Sequence, residues 1–114
     1  MCGLVFGLSS RPVRGFVSVA HERQHYRGPD GEGVLFEDVS GVYMGMAHER
    51  LAIVGLSENG AQPMSSASGK FRILFNGEVY NFLEIKAELQ ALGHQFHTAT
   101  DTEVVIAAYA EWGP

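Results

Sequence analysis

The sequence has little of what staples or anchors a small domain. One cysteine among 114 residues excludes an internal disulfide and makes the reducing cytoplasm the default compartment. Lys and Arg number 8 against 13 Asp and Glu, a net charge of −5. With no basic cluster, neither nucleic acid nor an anionic membrane is an expected partner. No apolar run approaches the ~18 residues of a membrane span, and none has the form of a secretory leader. There is no repeat, no low-complexity tract and no internal linker. Glycine, by contrast, is abundant: 14 residues against the ~7% of average usage.

Length fits one domain at most. Residues 2–8 are an apolar run of strand length. Ser10-Arg11-Pro12 reads as a helix start with Ser10 as cap, and Val13, Phe16, Val17 and Ala20 then mark one apolar helical face. The stretch from Arg27 to Gly33, Arg-Gly-Pro-Asp-Gly-Glu-Gly, reads as a tight loop. Strands are predicted over 33–37, 42–48, 50–54 and 71–75, with an exposed connection over 57–69. A helix carrying Phe82, Ile85, Leu89 and Leu92 ends at Gly93, and a short strand is expected over 94–98. Thr100-Asp101-Thr102-Glu103 has capping-box spacing and opens a last helix through Trp112. This order implies mixed α+β layers. So few elements do not close a two-sheet core, so the chain is expected to be the front part of something longer.

Four places could carry chemistry. Removal of Met1 would give Cys2 both a thiol and a free α-amine, whose ordinary pKa of ~7.7–8.0 suits a general base. The plain alternative is a small core residue on a strand. Asn76-Gly77 can aim an amide and a backbone N–H at one oxygen, or it can be a hairpin turn. Arg50 can hold a carboxylate with its fork, or pair with Glu49 at a strand edge. Asp101 can take an ammonium group, or sit in a helix first turn. The histidines at positions 21 and 25, and at 94 and 97, have helical spacing but no second cysteine to join them, and no metal is expected. Walker A, G-x-G-x-x-G and G-x-S-x-G motifs are absent.

Six blocks stand in order: Met1-Cys2-Gly3, Arg27-Gly28-Pro29-Asp30-Gly31, the run from His48 to Val54 (HERLAIV), Gln62-Pro63-Met64, the run from Phe75 to Asn81 (FNGEVYN) and Thr100-Asp101-Thr102-Glu103. Together they resemble the N-terminal glutaminase domain of glutamine-hydrolysing asparagine synthetases, a class II glutamine amidotransferase. The resemblance implies an N-terminal-nucleophile αββα sandwich, C-terminally incomplete, with residues 1–114 a partial glutaminase domain and the synthetase domain absent. It implies that Cys2 attacks the side-chain amide of L-glutamine, giving a γ-glutamyl thioester and ammonia, with Asn76 and Gly77 stabilising the oxyanion. Arg50 would clamp the glutamine α-carboxylate. Glu78 and Asp101, with backbone groups near Ile53 and Val54, would receive its α-ammonium. No cofactor belongs to this chain; ATP and Mg would serve only the synthetase domain, where activated aspartate would take up the ammonia. A homodimer or contact with that domain is the expected association. The alternatives are a non-catalytic fragment that binds glutamine or a partner chain, and an amidotransferase serving a surface-sugar or β-lactam-type acceptor.

Overall fold

A computed structural model describes residues 2–51 and 60–114. The first half is a three-stranded antiparallel sheet under one helix. β1 (Gly3–Ser9) leads into α1 (Arg14–Gln24) and a 3-10 turn (His25–Arg27); β2 (Gly31–Val39) and β3 (Val42–Arg50) follow as a hairpin. Sheet order is β1-β3-β2. Ser40 and Gly41 both have positive φ, 53° and 79°, and Val39 pairs with Val42. This is the two-residue turn whose twist matches that of the strands it joins.

Alternation along β1 buries Gly3 and Val5 against α1 and leaves Leu4, Phe6 and Leu8 exposed. Val5, Val13, Val17 and Ala47 form the core, with Ala20, Phe36 and Tyr43 packed around them. Val17 is wholly buried because glycines open a dent for it. A Cβ on Gly45 would lie 2.8 Å from Val17 Cγ2, and one on Gly7 would lie 3.1 Å from it.

The second half carries a two-stranded ribbon, β4 (Met64–Ser65) and β5 (Arg72–Ile73), and two packed helices, α2 (Phe82–Ala91) and α3 (Asp101–Trp112). Leu89, Val104 and Ile106 are buried within it. At the end of α2, Gly93 has φ 99°, with His94 N–H donating to Leu89 O and Gly93 N–H to Gln90 O. That double bond is a Schellman stop, as the glycine predicts. The halves meet where Arg72 pairs with Glu37 at 3.0 Å and where Gly33 lies directly against the Gln62 carbonyl. The peptide between Gln62 and Pro63 is cis.

Several expectations need correction. α1 starts at Arg14 with Val13 as N-cap, a side chain with no hydrogen-bond acceptor and so no cap bond; the expected cap Ser10 lies ahead of the helix, where Ser9 Oγ accepts from Arg11 N–H. Phe16 and Leu92, assigned to apolar faces, are exposed. Arg50 closes β3 rather than opening a strand, and the rest of the 50–54 prediction, Leu51 excepted, lies outside the described residues. The strand expected over 71–75 pairs only at Arg72–Ile73, since the Gln62 side chain occupies the backbone of Phe75. No strand forms over 94–98. The N–H groups of His97 and Thr98 donate instead to the Glu103 carboxylate, at 2.9 and 2.7 Å.

Candidate active site

Cys2 sits just ahead of β1, whose Gly3 pairs with Glu49 on the central strand. That register sets the thiol beside the end of β3. The Leu51 N–H reaches Cys2 Sγ at 3.5 Å, and the thiol faces Leu51 O at 4.0 Å. The thiol is free and half-buried. Two cationic or amide donors converge on its carbonyl: Asn76 Nδ2 at 3.3 Å and Arg27 Nε at 3.4 Å. Asn76 is 74 positions along the chain from Cys2, so only the tertiary fold joins them.

What carries Asn76 there is a buried glutamine. Gln62 Oε1 accepts from Phe75 N–H at 2.6 Å, and its Nε2 donates to Phe75 O at 3.1 Å. One side-chain amide thus pairs with both backbone groups of a residue, as a neighbouring strand would. The same Nε2 reaches Thr102 Oγ1 at 3.4 Å, which ties Phe75 to the first turn of α3. Asn76 and Gly77 follow immediately and are exposed. Gly77 lies over its neighbour's ring: a Cβ there would be 2.9 Å from Phe75 Cζ. Asn-Gly therefore lies within an irregular segment between β5 and α2 and does not turn a hairpin.

Arg50 ends β3 at the foot of the Arg-Gly-Pro-Asp segment. Asp30 N–H donates to Arg50 O at 3.0 Å, and Pro29 bridges the same residue. Gly28 is pressed on this peptide so closely that a Cβ would stand 2.5 Å from the carbonyl carbons of Glu49 and Arg50. The Arg50 guanidinium lies against buried Gly60, where a Cβ would meet Nη2 at 3.2 Å and Thr100 Cγ2 at 3.3 Å. Gly60 thus lets the arginine approach the N-terminus of α3. There Thr100 caps the helix through Glu103 N–H, and Asp101 Oδ2 accepts from Val79 N–H at 2.9 Å. Asp101 is so brought beside Glu78, which is exposed. Ile53 and Val54 lie outside the described residues.

Two titratable groups near these elements are displaced. His48, on β3, is buried, which holds its pKa below the ordinary 6.5; the Arg50 charge adds to this, against an opposing hydrogen bond from the imidazole to the Phe75 backbone. Burial of Glu103 pushes its carboxyl upward, but hydrogen bonds from the Thr98 hydroxyl and the His97 and Thr98 N–H groups outweigh it. Its pKa lies below the ordinary 4.5.

The expected thiol, amide, arginine and aspartate therefore stand on the ends of β1, the Phe75–Val79 segment, β3 and α3. Four positions went unrecognised as site builders in the sequence: Arg27, Gly60, Gln62 and Thr102. Arg27, Gln62 and Thr102 left a trace as members of motif blocks, but the type of Gln62 does not announce that its amide will pair with a backbone.

A free thiol thus stands at the head of the first strand, with an amide donor held at its own carbonyl. The chain belongs to the family of glutamine amidotransferase domains, which it matches over residues 1–114. It is similar to the glutamine-hydrolyzing asparagine synthetase 1 of Bacillus subtilis, 34% identical over 118 residues, covering 98% of this chain and 18% of that protein. It is also similar to asparagine synthetase 1 of Saccharomyces cerevisiae, 35% identical over 112 residues (96% and 18%). A probable asparagine synthetase of Schizosaccharomyces pombe is 42% identical over 89 residues (78% and 15%). The chain spans less than a fifth of the length of these relatives. Among the described residues, no helix is long and apolar enough to cross a membrane.

Proposed function

We propose that this chain is the glutaminase part of an asparagine synthetase-type amidotransferase. After removal of Met1, the Cys2 α-amine takes the thiol proton and Sγ attacks the glutamine side-chain carbonyl carbon. Asn76 Nδ2 and the Gly77 N–H donate to the oxyanion. Protonated by the amine, the amide nitrogen leaves as ammonia, and water then cleaves the γ-glutamyl thioester to glutamate and regenerates the thiol. Arg50 holds the α-carboxylate with its two-pronged fork. Glu78 and Asp101, with backbone near Ile53 and Val54, take the α-ammonium. A zwitterion gripped at both ends presents its amide in one orientation.

The single observation that carries this reading is the 3.3 Å bond from Asn76 Nδ2 to Cys2 O. It is a long-range contact that neither residue needs for a strand or a turn. The αββα sandwich is supported by the uncovered side of β1, where Leu4, Phe6 and Leu8 are exposed, a face a second sheet would bury. The relatives' names support aspartate as acceptor, activated with ATP and Mg in a synthetase domain that would also be the contact partner. A cytoplasmic location and a homodimer belong to the same reading. The test is glutamate release from L-glutamine, together with an intact mass. We expect a mass lacking one methionine, and turnover that Cys2→Ala abolishes; turnover surviving that substitution ends the proposal.

A further inference from the structure

We propose that His21, His25, Glu49 and Glu32 form a site for a divalent transition-metal ion, Zn²⁺ by its chemistry, which clamps α1 to the β2–β3 hairpin. The segment His21-Glu22-Arg23-Gln24-His25 sets two histidines one helical turn apart, on one face. His25 keeps helical angles, φ −53° and ψ −32°. That face looks onto Glu49: His21 Nε2 lies 2.8 Å from Oε1 and His25 Nδ1 lies 3.4 Å from Oε2. Glu32 pairs directly with Glu49 across the hairpin, so both carboxylates rise from the same side of the sheet. Its Oε2 is 4.0 Å from His21 Nε2. The ligand atoms of His21, Glu32 and Glu49 all fall within 4.8 Å of one another.

Burial makes this more than a cluster. The Glu49 side chain is 2% exposed, yet its Oε2, like His21 Nε2, has no hydrogen-bond partner among the described residues. The atoms are close without hydrogen-bond geometry, an arrangement that ligands converging on one ion adopt. A buried carboxylate with unmatched lone pairs is costly unless a cation meets it. Two carboxylates and two neutral imidazoles balance a dication in charge. Mixed imidazole and carboxylate donors select Zn²⁺-like ions over Mg²⁺ or Ca²⁺, which take oxygen. Four protein donors leave no open position, so the role is to brace the fold. Entry is available from the rim, where the Glu32 and His25 side chains are 68% and 64% exposed. Because Gly3 pairs with Glu49, the ion would brace the strand that begins at the Cys2 thiol.

The test is a titration of the chelator-stripped protein with Zn²⁺ by calorimetry, with Co²⁺ as the spectroscopic probe. We expect one ion per chain, the visible absorption of tetrahedral Co²⁺, and a melting temperature raised by Zn²⁺ and lowered again by EDTA. His25→Ala and Glu32→Gln change exposed side chains and leave the fold intact; each weakens binding at least ~10-fold. Cys2→Ser keeps the binding. Absence of saturable binding overturns the proposal and leaves a buried His21–Glu49 ion pair. So does affinity unchanged in both variants, or binding lost with the thiol.

Discussion

The side-chain amide of Gln62 pairs with both the N–H and the C=O of Phe75, at 2.6 and 3.1 Å, and so does for that residue what a neighbouring strand would. Everything downstream of that pairing depends on it, since Asn76 and Gly77 are the next two residues.

Gln62→Ala is expected to strand both backbone groups of Phe75. Stability should fall by about 1–3 kcal/mol, the cost of unsatisfied buried polar groups. Denaturant unfolding measures it, and a midpoint equal to that of the parent protein contradicts the positioning role. In the glutaminase reaction the same variant should lower kcat more than it raises KM.

Asn76→Ala addresses the donor itself. If the amide serves the oxyanion, kcat drops by roughly 10²–10³ with KM little changed. Because Asn76 is exposed, its melting temperature should move less than that of Gln62→Ala. Steady-state kinetics beside thermal unfolding separates the two residues.

Arg50→Lys keeps the charge and removes the planar fork. The loss of a bidentate carboxylate grip should raise KM for glutamine by about tenfold, with a smaller effect on glutamine amide analogues lacking the α-carboxylate. Equal effects on both substrates would mean that Arg50 only braces the loop around Gly28 and Gly60.

Glu103 predicts a pH dependence. Its folded pKa lies below the ordinary 4.5, so at acidic pH the unfolded chain binds the proton more readily than the folded one. The contribution is present above about pH 4.5 and is lost as pH falls through the folded pKa. Glu103→Gln should flatten this acid limb of a melting-temperature profile, where the parent curve descends.

Gly45→Ala tests packing. The new methyl would meet Val17 Cγ2 at 2.8 Å and Phe36 Cε1 at 3.0 Å, overpacking of a kind that costs roughly 1–3 kcal/mol. Pairing it with Val17→Ala should recover part of the loss, and a double-mutant cycle on unfolding free energies reads the coupling.

Much of the local structure was legible because its causes are local. The Gly93 stop, the Thr100 cap and the strand over residues 2–8 follow from residues within a turn or two of each other, whereas which side of β1 is buried does not. Failures fell where a side chain took a backbone group that the local pattern had assigned to a strand. Glu103 did this at His97 and Thr98, six and five positions away, and Gln62 did it at Phe75, 13 positions away; alternation and propensity do not say which side chain will turn back on the backbone. The helix start failed more narrowly: α1 begins at Arg14 behind an uncapping Val13, a few residues after the Ser10 cap that the local pattern indicated.

The sequence by itself determined the family, through six motif blocks in order, and with it the identity of the residues assigned to the chemistry. One cysteine, a modest negative charge and a surplus of glycine were enough to direct attention to the first strand and the Arg-Gly-Pro-Asp segment. Only the tertiary structure decided how those residues meet: Asn76 against the carbonyl of Cys2, Arg50 beside the head of α3, and Glu49 buried among two histidines. The physical reason is that hydrogen bonds, close glycine contacts and buried charges act over a few ångströms in space. They are indifferent to the dozens of residues that separate their partners along the chain.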